Sequence, residues 1–213
     1  MINIEDLTIG YKNEPLIKVT LSLPRNGIFA VVGRNGSGKS SFYKTLMGIL
    51  PPLSGNFFGI TKEDVLLISD STDIPAEVSL KDLCDLLLVA ETEIEEILNI
   101  KLDSIFDKPI KYLSSGQKKM AEISLGLLRT KKLLLLDEAS NSLDDESTYQ
   151  FHEFLLKASE SALILYTTHN LQEIVDLRIP LLCIKNKGIT LHEPAKDVNM
   201  IREYIGINGI ERG

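Results

Sequence analysis

Cysteine is scarce in this chain: Cys84 and Cys183 are the only two, each set in an apolar run and far apart in sequence. That usage reads as two reduced core thiols rather than a disulfide or a metal pair. Long apolar runs are missing too, since "LLLL" and "SALILY" fall far short of the roughly 20 residues a membrane helix needs. Work at a membrane would need another chain to span it. No charged-then-apolar leader follows Met1, so the expectation is a cytoplasmic protein. Basic residues are in the minority, 23 lysines and arginines against 30 aspartates and glutamates, and the formal charge of −7 argues against non-specific nucleic-acid binding. Internal repeats and low-complexity tails are also missing. What is left, 213 residues at 44% hydrophobic composition, can bury a sizeable core and fits one domain with an inserted subdomain.

The opening, "INIEDLTIGY" and then "IKVTLSLPRNGIFAVVG", alternates apolar with polar residues and is rich in β-branched side chains. It predicts short antiparallel strands joined by turns at Asn13-Glu14-Pro15 and Arg25-Asn26-Gly27. "GIFAVV" is continuously apolar, as a strand buried on both faces should be, and runs straight into a glycine loop. Beyond the loop, Phe42, Leu46, Ile49 and Leu50 recur at helical spacing, and the helix is expected to run until Pro51-Pro52 stops it. Residues 70–129 are helical in character, with Ser79-x-x-Asp82 and Thr92-x-x-Glu95 resembling capping boxes. "KKLLLLDEA" and "SALILYTTH" are further buried strands, separated by a helix carrying Phe151, Phe154, Leu155 and Ala158 on one face. Strand, helix, strand implies a parallel sheet. The expected divisions are 1–32 for the antiparallel part, 33–69 with 130–195 for the core, 70–129 for a helical lobe and 196–213 for a C-terminal extension.

Gly33-x-x-x-x-Gly38-Lys39-Ser40 follows a predicted strand and opens a predicted helix, the setting a phosphate-binding loop requires. Glycines let backbone N–H groups wrap phosphates, the helix N-terminus adds positive potential, Lys39 neutralises β/γ oxygens and the Ser40 hydroxyl can ligate Mg²⁺. Gly33, Asn35, Gly36, Ser37, Gly38, Lys39, Ser40 and Ser41 are the nucleotide-contact candidates here. "LLLLDEAS" puts Asp137 and Glu138 at the C-terminal end of a buried strand, where open α/β sheets hold their ligands. Asp137 would hold Mg²⁺ through its water shell, and Glu138 could orient or deprotonate an attacking water. His169 ends the strand "ALILYTT" on the same rim, beside Thr167 and Thr168, placed to bond a terminal phosphate. His152 and His192 lack such a setting and are left as surface or packing residues. These features alone describe a Mg-dependent nucleoside triphosphatase.

Taken with "LSSGQ" and "NSLD", the segments "GRNGSGKS" and "LLLLDEAS" and His169 stand in the order of the nucleotide-binding domain of ATP-binding cassette (ABC) proteins. The chain resembles that family from Tyr11 to about Ile189. The resemblance implies an α/β P-loop NTPase fold: a RecA-like parallel core, an N-terminal antiparallel β subdomain and a short inserted helical subdomain. It also implies that two such domains sandwich ATP head to tail, as a homodimer or heterodimer. Leu113-Ser114-Ser115-Gly116-Gln117 of one chain would then close on the γ-phosphate held by the other, through Ser114, Gly116 and Gln117. Ser115 stands where glycine is commoner in the family. Tyr11 matches the residue that stacks on adenine, and Asp144 belongs to a loop, Asn141-Ser142-Leu143-Asp144, through which the two sites communicate. Asp70 aligns with a glutamine that usually touches Mg²⁺ and the water, which is a departure from the family pattern. The implied function is an ATP-hydrolysing subunit, peripheral at the inner face of the cell membrane, that powers export through a separate integral membrane subunit. The alternative is a soluble ABC-type ATPase outside transport.

Overall fold

In the computed structural model the described residues are 1–12, 14–69, 75–88, 90, 92, 95, 106–128, 132–141 and 143–207. Among the described residues, nine strands form one sheet: β1 (Ile2–Tyr11), β2 (Glu14–Leu23), β3 (Gly27–Gly33), β4 (Ser54–Phe58), β5 (Val65–Ser69), β6 (Leu133–Asp137), β7 (Leu163–Thr167), β8 (Leu181–Lys185) and β9 (Gly188–His192). Their spatial order is β4-β1-β2-β9-β8-β3-β7-β6-β5. The β8-β3-β7-β6-β5 portion is entirely parallel, whereas β1 pairs antiparallel with β2 and β4. The two portions are joined where the β8–β9 hairpin brings Gly188 beside Lys18 of β2. The α/β class with a parallel core, read from the sequence, is the fold observed.

Period-2 alternation explains how the core divides. Leu133 and Leu135 of β6 face one side of the sheet with Leu163 and Leu165 of β7, against Phe42, Tyr43 and Leu46 of helix α1 (Lys39–Leu46). Leu134, Leu136, Ile164 and Tyr166 face the other side, against Ile123 of α3 (Ser115–Leu128) and Phe151, Phe154 and Leu155 of α4 (Asp145–Ala158). Helices on both faces demand strands that are apolar throughout, which is why these two read as unbroken runs. Each fully buried leucine contributes roughly 1.5–3 kcal/mol by leaving water. Alternation breaks in β1, whose register with β2 shifts near its end between Ile9 and Gly10 and earlier between Ile4 and Leu7, at a bulge where Asp6 takes φ 45°. The bulge resets the phase so that Ile4 and Leu7, an odd number of residues apart, both point into the core. Thr20 pins it, accepting from the Asp6 N–H and donating to Asp6 Oδ1, both at 3.1 Å.

Two expectations are corrected. The helix after the glycine loop stops at Leu46 and does not reach Pro51, because Gly48 turns left-handed at φ 71° and the Ile49 and Leu50 N–H groups both return to the Lys44 carbonyl. Ile49 is left 63% exposed, outside the apolar face assigned to it. Ser54–Phe58 is a strand that the sequence pattern did not reveal, and it lengthens the antiparallel part by pairing with β1. Ser79 and Asp82 do form the reciprocal cap that opens α2 (Leu80–Leu87). The Thr92–Glu95 box and Asn13 lie wholly or partly outside the described residues. Two further α-helices among the described residues are α5 (Leu171–Leu177) and α6 (Val198–Ile205).

Candidate nucleotide-binding site

Strand β3 ends at Gly33 and α1 begins at Lys39, so five residues must reverse the chain and leave helix N–H groups pointing outward. Gly38 caps the helix with φ 105° and no side-chain bond, which leaves the first-turn donors available to an anion. A Cβ on Gly38 would lie 2.8 Å from Ile17 Cδ1, so the loop closes against β2 only because the side chain is absent. Lys39 folds over the loop, with Nζ donating to the Gly33 carbonyl at 2.9 Å and the Arg34 carbonyl at 3.4 Å. Burial lowers its pKa, and the nearby charges of Asp137 and Glu138 offset part of that. Ser37 Oγ is buried with no hydrogen-bond partner among the described residues. Ser41 donates to the Tyr11 hydroxyl at 3.3 Å, which fastens the end of β1 to α1 and leaves Tyr11 46% exposed.

The opposite wall is built by β6 and β7, whose register sets Asp137 beside Thr167. Thr167 Oγ1 donates to Asp137 Oδ1 at 2.7 Å. Glu138 leaves the strand with φ 59°, a left-handed conformation that costs a non-glycine residue roughly 1–2 kcal/mol. Its N–H is held by the Thr167 carbonyl at 3.0 Å. Its carboxylate meets His169 Nε2 at 2.6 Å through Oε1 and accepts from Asn141 Nδ2 at 2.9 Å through Oε2. Two adjoining clefts of about 260 and 410 Å³ share Asn35, Lys39, Glu138 and His169 in their walls. The first adds Gly33 and Thr168, and the second adds Gly36, Gly38, Ser40, Ser41 and Asp137. A cation, hydroxyls, backbone donors and a carboxylate held against an imidazole therefore converge on one opening.

The "LSSGQ" residues are elsewhere. Ser114 and Gln117 cap α3 reciprocally: Gln117 N–H donates to Ser114 Oγ at 3.2 Å, and Ser114 N–H donates to Gln117 Oε1 at 3.0 Å. Gly116 abuts the neighbouring helix start, since a Cβ there would lie 3.0 Å from Ser147 Cβ. Asp144 caps that neighbour, α4, accepting from Ser147 N–H at 2.7 Å. This backbone bond, with the Ser147 hydroxyl second, holds the Asp144 carboxyl below the usual carboxylate range. Among the described residues, Ser114, Gly116, Gln117 and Asp144 line neither cleft. Asp70 and Ser142 lie outside the described residues. Lys119, buried on α3, sends its ammonium to the carbonyl of Ser69 at the end of β5 and lies 3.8 Å from Glu122.

His152 is a packing residue, one of the two places the sequence left open to it. Its side chain is 12% exposed, and Nε2 lies 3.5 Å from Glu173 in a buried polar cluster with Ser140 and Tyr166. His192 stacks on Tyr204, as a packing residue would. Asn141, Thr167 and Glu173 were not singled out as site residues. Asn141, three residues past Glu138, and Thr167, two before His169, reach the rim through their neighbours in the chain, whereas only helix packing brings Glu173 behind it, and "HNLQE" carries no local sign of that.

A phosphate-loop helix facing a carboxylate pair and a histidine, at the C-terminal edge of a parallel sheet, defines a P-loop nucleotide-binding protein. The family model described as ABC transporter matches residues 16–141, and the chain belongs to that family as an ATP-binding protein. It is 33% identical over 182 residues to "Probable peptide export ATP-binding protein YydI" of Bacillus subtilis, covering 81% of this chain and 85% of that one. It is 28% identical over 220 residues to the zinc import ATP-binding protein ZnuC of Acinetobacter baylyi, covering 100% and 84%. Among solved structures it resembles CbiO1 of Clostridium perfringens, part of the ABC transporter complex CbiONQ, with TM-score 0.77, 22% identity and coverage of 96% and 90%. No helix among the described residues is long and apolar enough to cross a membrane.

Proposed function

We propose that the chain hydrolyses ATP with Mg²⁺ as the motor subunit of a transporter whose membrane-spanning subunit is a separate chain. The contact that carries this reading is Glu138 against His169 at 2.6 Å, beside Lys39 in the same cleft. Glu138 takes a proton from water as the water oxygen bonds to the γ-phosphorus, and the bond from that phosphorus to the bridging oxygen breaks to leave ADP. Lys39 and the α1 N-terminus offset charge on the phosphates, and His169 holds the carboxylate in place. Ser40 and Asp137 are hard oxygen donors in one cleft and fit Mg²⁺, with Thr167 engaging only Oδ1 of Asp137. When bound, the ion supplies charge neutralisation at the β and γ oxygens. Asp70 is assigned a minor part, since another carboxylate there would repel the phosphates.

The second half of the reading is a dimer. Ser114, Gly116 and Gln117 lie outside their own chain's clefts, at a capped helix start, which suits a role against the nucleotide of a partner copy. Export is the assigned direction, on the higher identity to YydI than to ZnuC. The helical lobe and the cytoplasmic face of the membrane are assigned to the contact with the spanning subunit. Sedimentation of Glu138→Gln with ATP tests the arrangement: a dimer is expected, reverting to monomer when Ser114→Arg is added. A double variant that still dimerises with ATP would show that Ser114 does not meet the partner's nucleotide.

A further inference from the structure

Behind the Glu138–His169 contact lies a buried cluster for which the hydrolysis step has no use. Ser140, two residues past Glu138 and 4% exposed, donates to Glu173 Oε2 at 2.9 Å. Tyr166, fully buried on β7 and three residues before His169, reaches Ser140 Oγ at 2.7 Å and also Glu173 Oε2. His152 of α4 brings Nε2 to 3.5 Å from the same oxygen and meets the Tyr166 ring edge-on. Glu173 itself sits in the first turn of α5, whose cap is Asn170, the residue after His169. The loop after β6, the strand β7 and the helices α4 and α5 thus meet on one carboxylate oxygen.

The proton count makes the cluster demanding. Three oxygen–oxygen contacts share two hydroxyl protons, so an ionised Glu173 is the acceptor that keeps both hydroxyls engaged. Burial, the largest influence, pushes the Glu173 carboxyl up, but the nearby His152 ring and the bonds from Tyr166 and Ser140 outweigh it and hold the group below the usual range. Burial, and then the Glu173 charge, push the Tyr166 hydroxyl far up, so it stays a donor.

Placement relative to the site is the informative part. Glu138 is bracketed by the Asp137–Thr167 ladder on one side and by Ser140, bonded to Glu173, on the other. His169 is bracketed by Tyr166 and by Glu173 itself. The same oxygen approaches α4 through His152, and the start of α4 is capped by Asp144 and packs on Gly116 through Ser147. We propose that Glu173, bonded by Ser140 and Tyr166 and approached by His152, is a positioning residue: it holds Glu138 and His169 in register with each other and with α4, setting kcat and not nucleotide affinity. The proposal rests on the hydrolytic reading given above.

The test uses the purified chain and MgATP. Glu173→Ala is expected to lower kcat by about tenfold or more with KM moved less than about twofold, because misplacing a reacting group by about 1 Å can cost up to a hundredfold. Glu173→Gln, which keeps a carbonyl acceptor, is expected to recover part of that loss. In a Glu138→Gln background, Glu173→Ala is expected to add no further loss in single-turnover rate, since both act through one group. Ser140→Ala and Tyr166→Phe, milder changes with thermal unfolding followed alongside, carry the test should Glu173→Ala fail to fold, and each is expected to cut kcat about threefold or more at unchanged KM. A kcat within twofold of wild type in the folded variants, or KM rising in step with the fall in kcat, overturns the proposal while leaving the ATPase reading intact. Absence of hydrolysis by the wild-type chain overturns the ATPase reading, and this proposal with it.

Discussion

Replacing Glu138 with glutamine separates chemistry from architecture, because the structure gives the size of each effect. Two groups face the carboxylate, His169 Nε2 at 2.6 Å and Asn141 Nδ2 at 2.9 Å. Glutamine offers one oxygen and one NH₂, so one contact survives while the other sets donor against donor whenever Nε2 carries its proton. A hydrogen bond to a charged group contributes about 1.5–3 kcal/mol when buried. The Glu138 side chain is 36% exposed and solvent can replace the lost partner, so the stability cost falls to about 1 kcal/mol or less. Removing a general base costs about 10²–10⁴ in rate, or roughly 2.7–5.4 kcal/mol of barrier at 1.36 kcal/mol per decade. The barrier term dominates. Phosphate release at saturating MgATP should therefore fall at least about a hundredfold. Equilibrium ATP binding should be undiminished, since a negative charge has left the neighbourhood of the phosphates, and the melting temperature should move by a few degrees at most. Turnover within about tenfold of wild type would refute the assignment of Glu138 as the base.

Lys39→Ala should instead weaken ATP binding itself, because it deletes the cation facing the phosphates, and a titration with fluorescent nucleotide would show affinity unchanged if that role were wrong. Gly116→Ala sets a methyl group 3.0 Å from Ser147 Cβ, so α3 and α4 must separate slightly. A loss of about 1 kcal/mol is expected in urea unfolding, within the 1–3 kcal/mol usual for overpacking, and it should shrink when Ser147→Gly is added. Asp144 has a carboxyl pKa lowered by its cap bonds, so its contribution is complete above the ordinary carboxylate range near pH 4 and is lost as the pH falls through its folded value. Acid unfolding followed by circular dichroism should show a smaller drop below about pH 4 for Asp144→Asn, which keeps a capping oxygen without the titration.

Much of the molecule is legible in local patterns. The continuous apolar runs of β3, β6 and β7 report strands covered on both faces, and the glycine spacing from Gly33 to Gly38 reports a strand, loop and helix start, because each depends on neighbours within a few residues. Ser79 with Asp82 likewise carries its own cap. What failed to show depends on partners distant in the chain. Ser54–Phe58 becomes a strand because β1 offers an edge, and Ile49 leaves the apolar face because the left-handed Gly48 ends α1 first. The left-handed backbone of Glu138 is held by Thr167, 29 residues on, and its carboxylate by His169 just beyond, with the nearby Asn141 as a local partner. His152 is an unremarkable helical histidine until sheet order and helix packing bring it to Glu173, beside Tyr166 and Ser140. Sequence alone determined which chemical groups exist and which local elements carry them. The tertiary structure decided which groups meet, because hydrogen bonds and buried charges act over a few ångströms that only the folded chain can close.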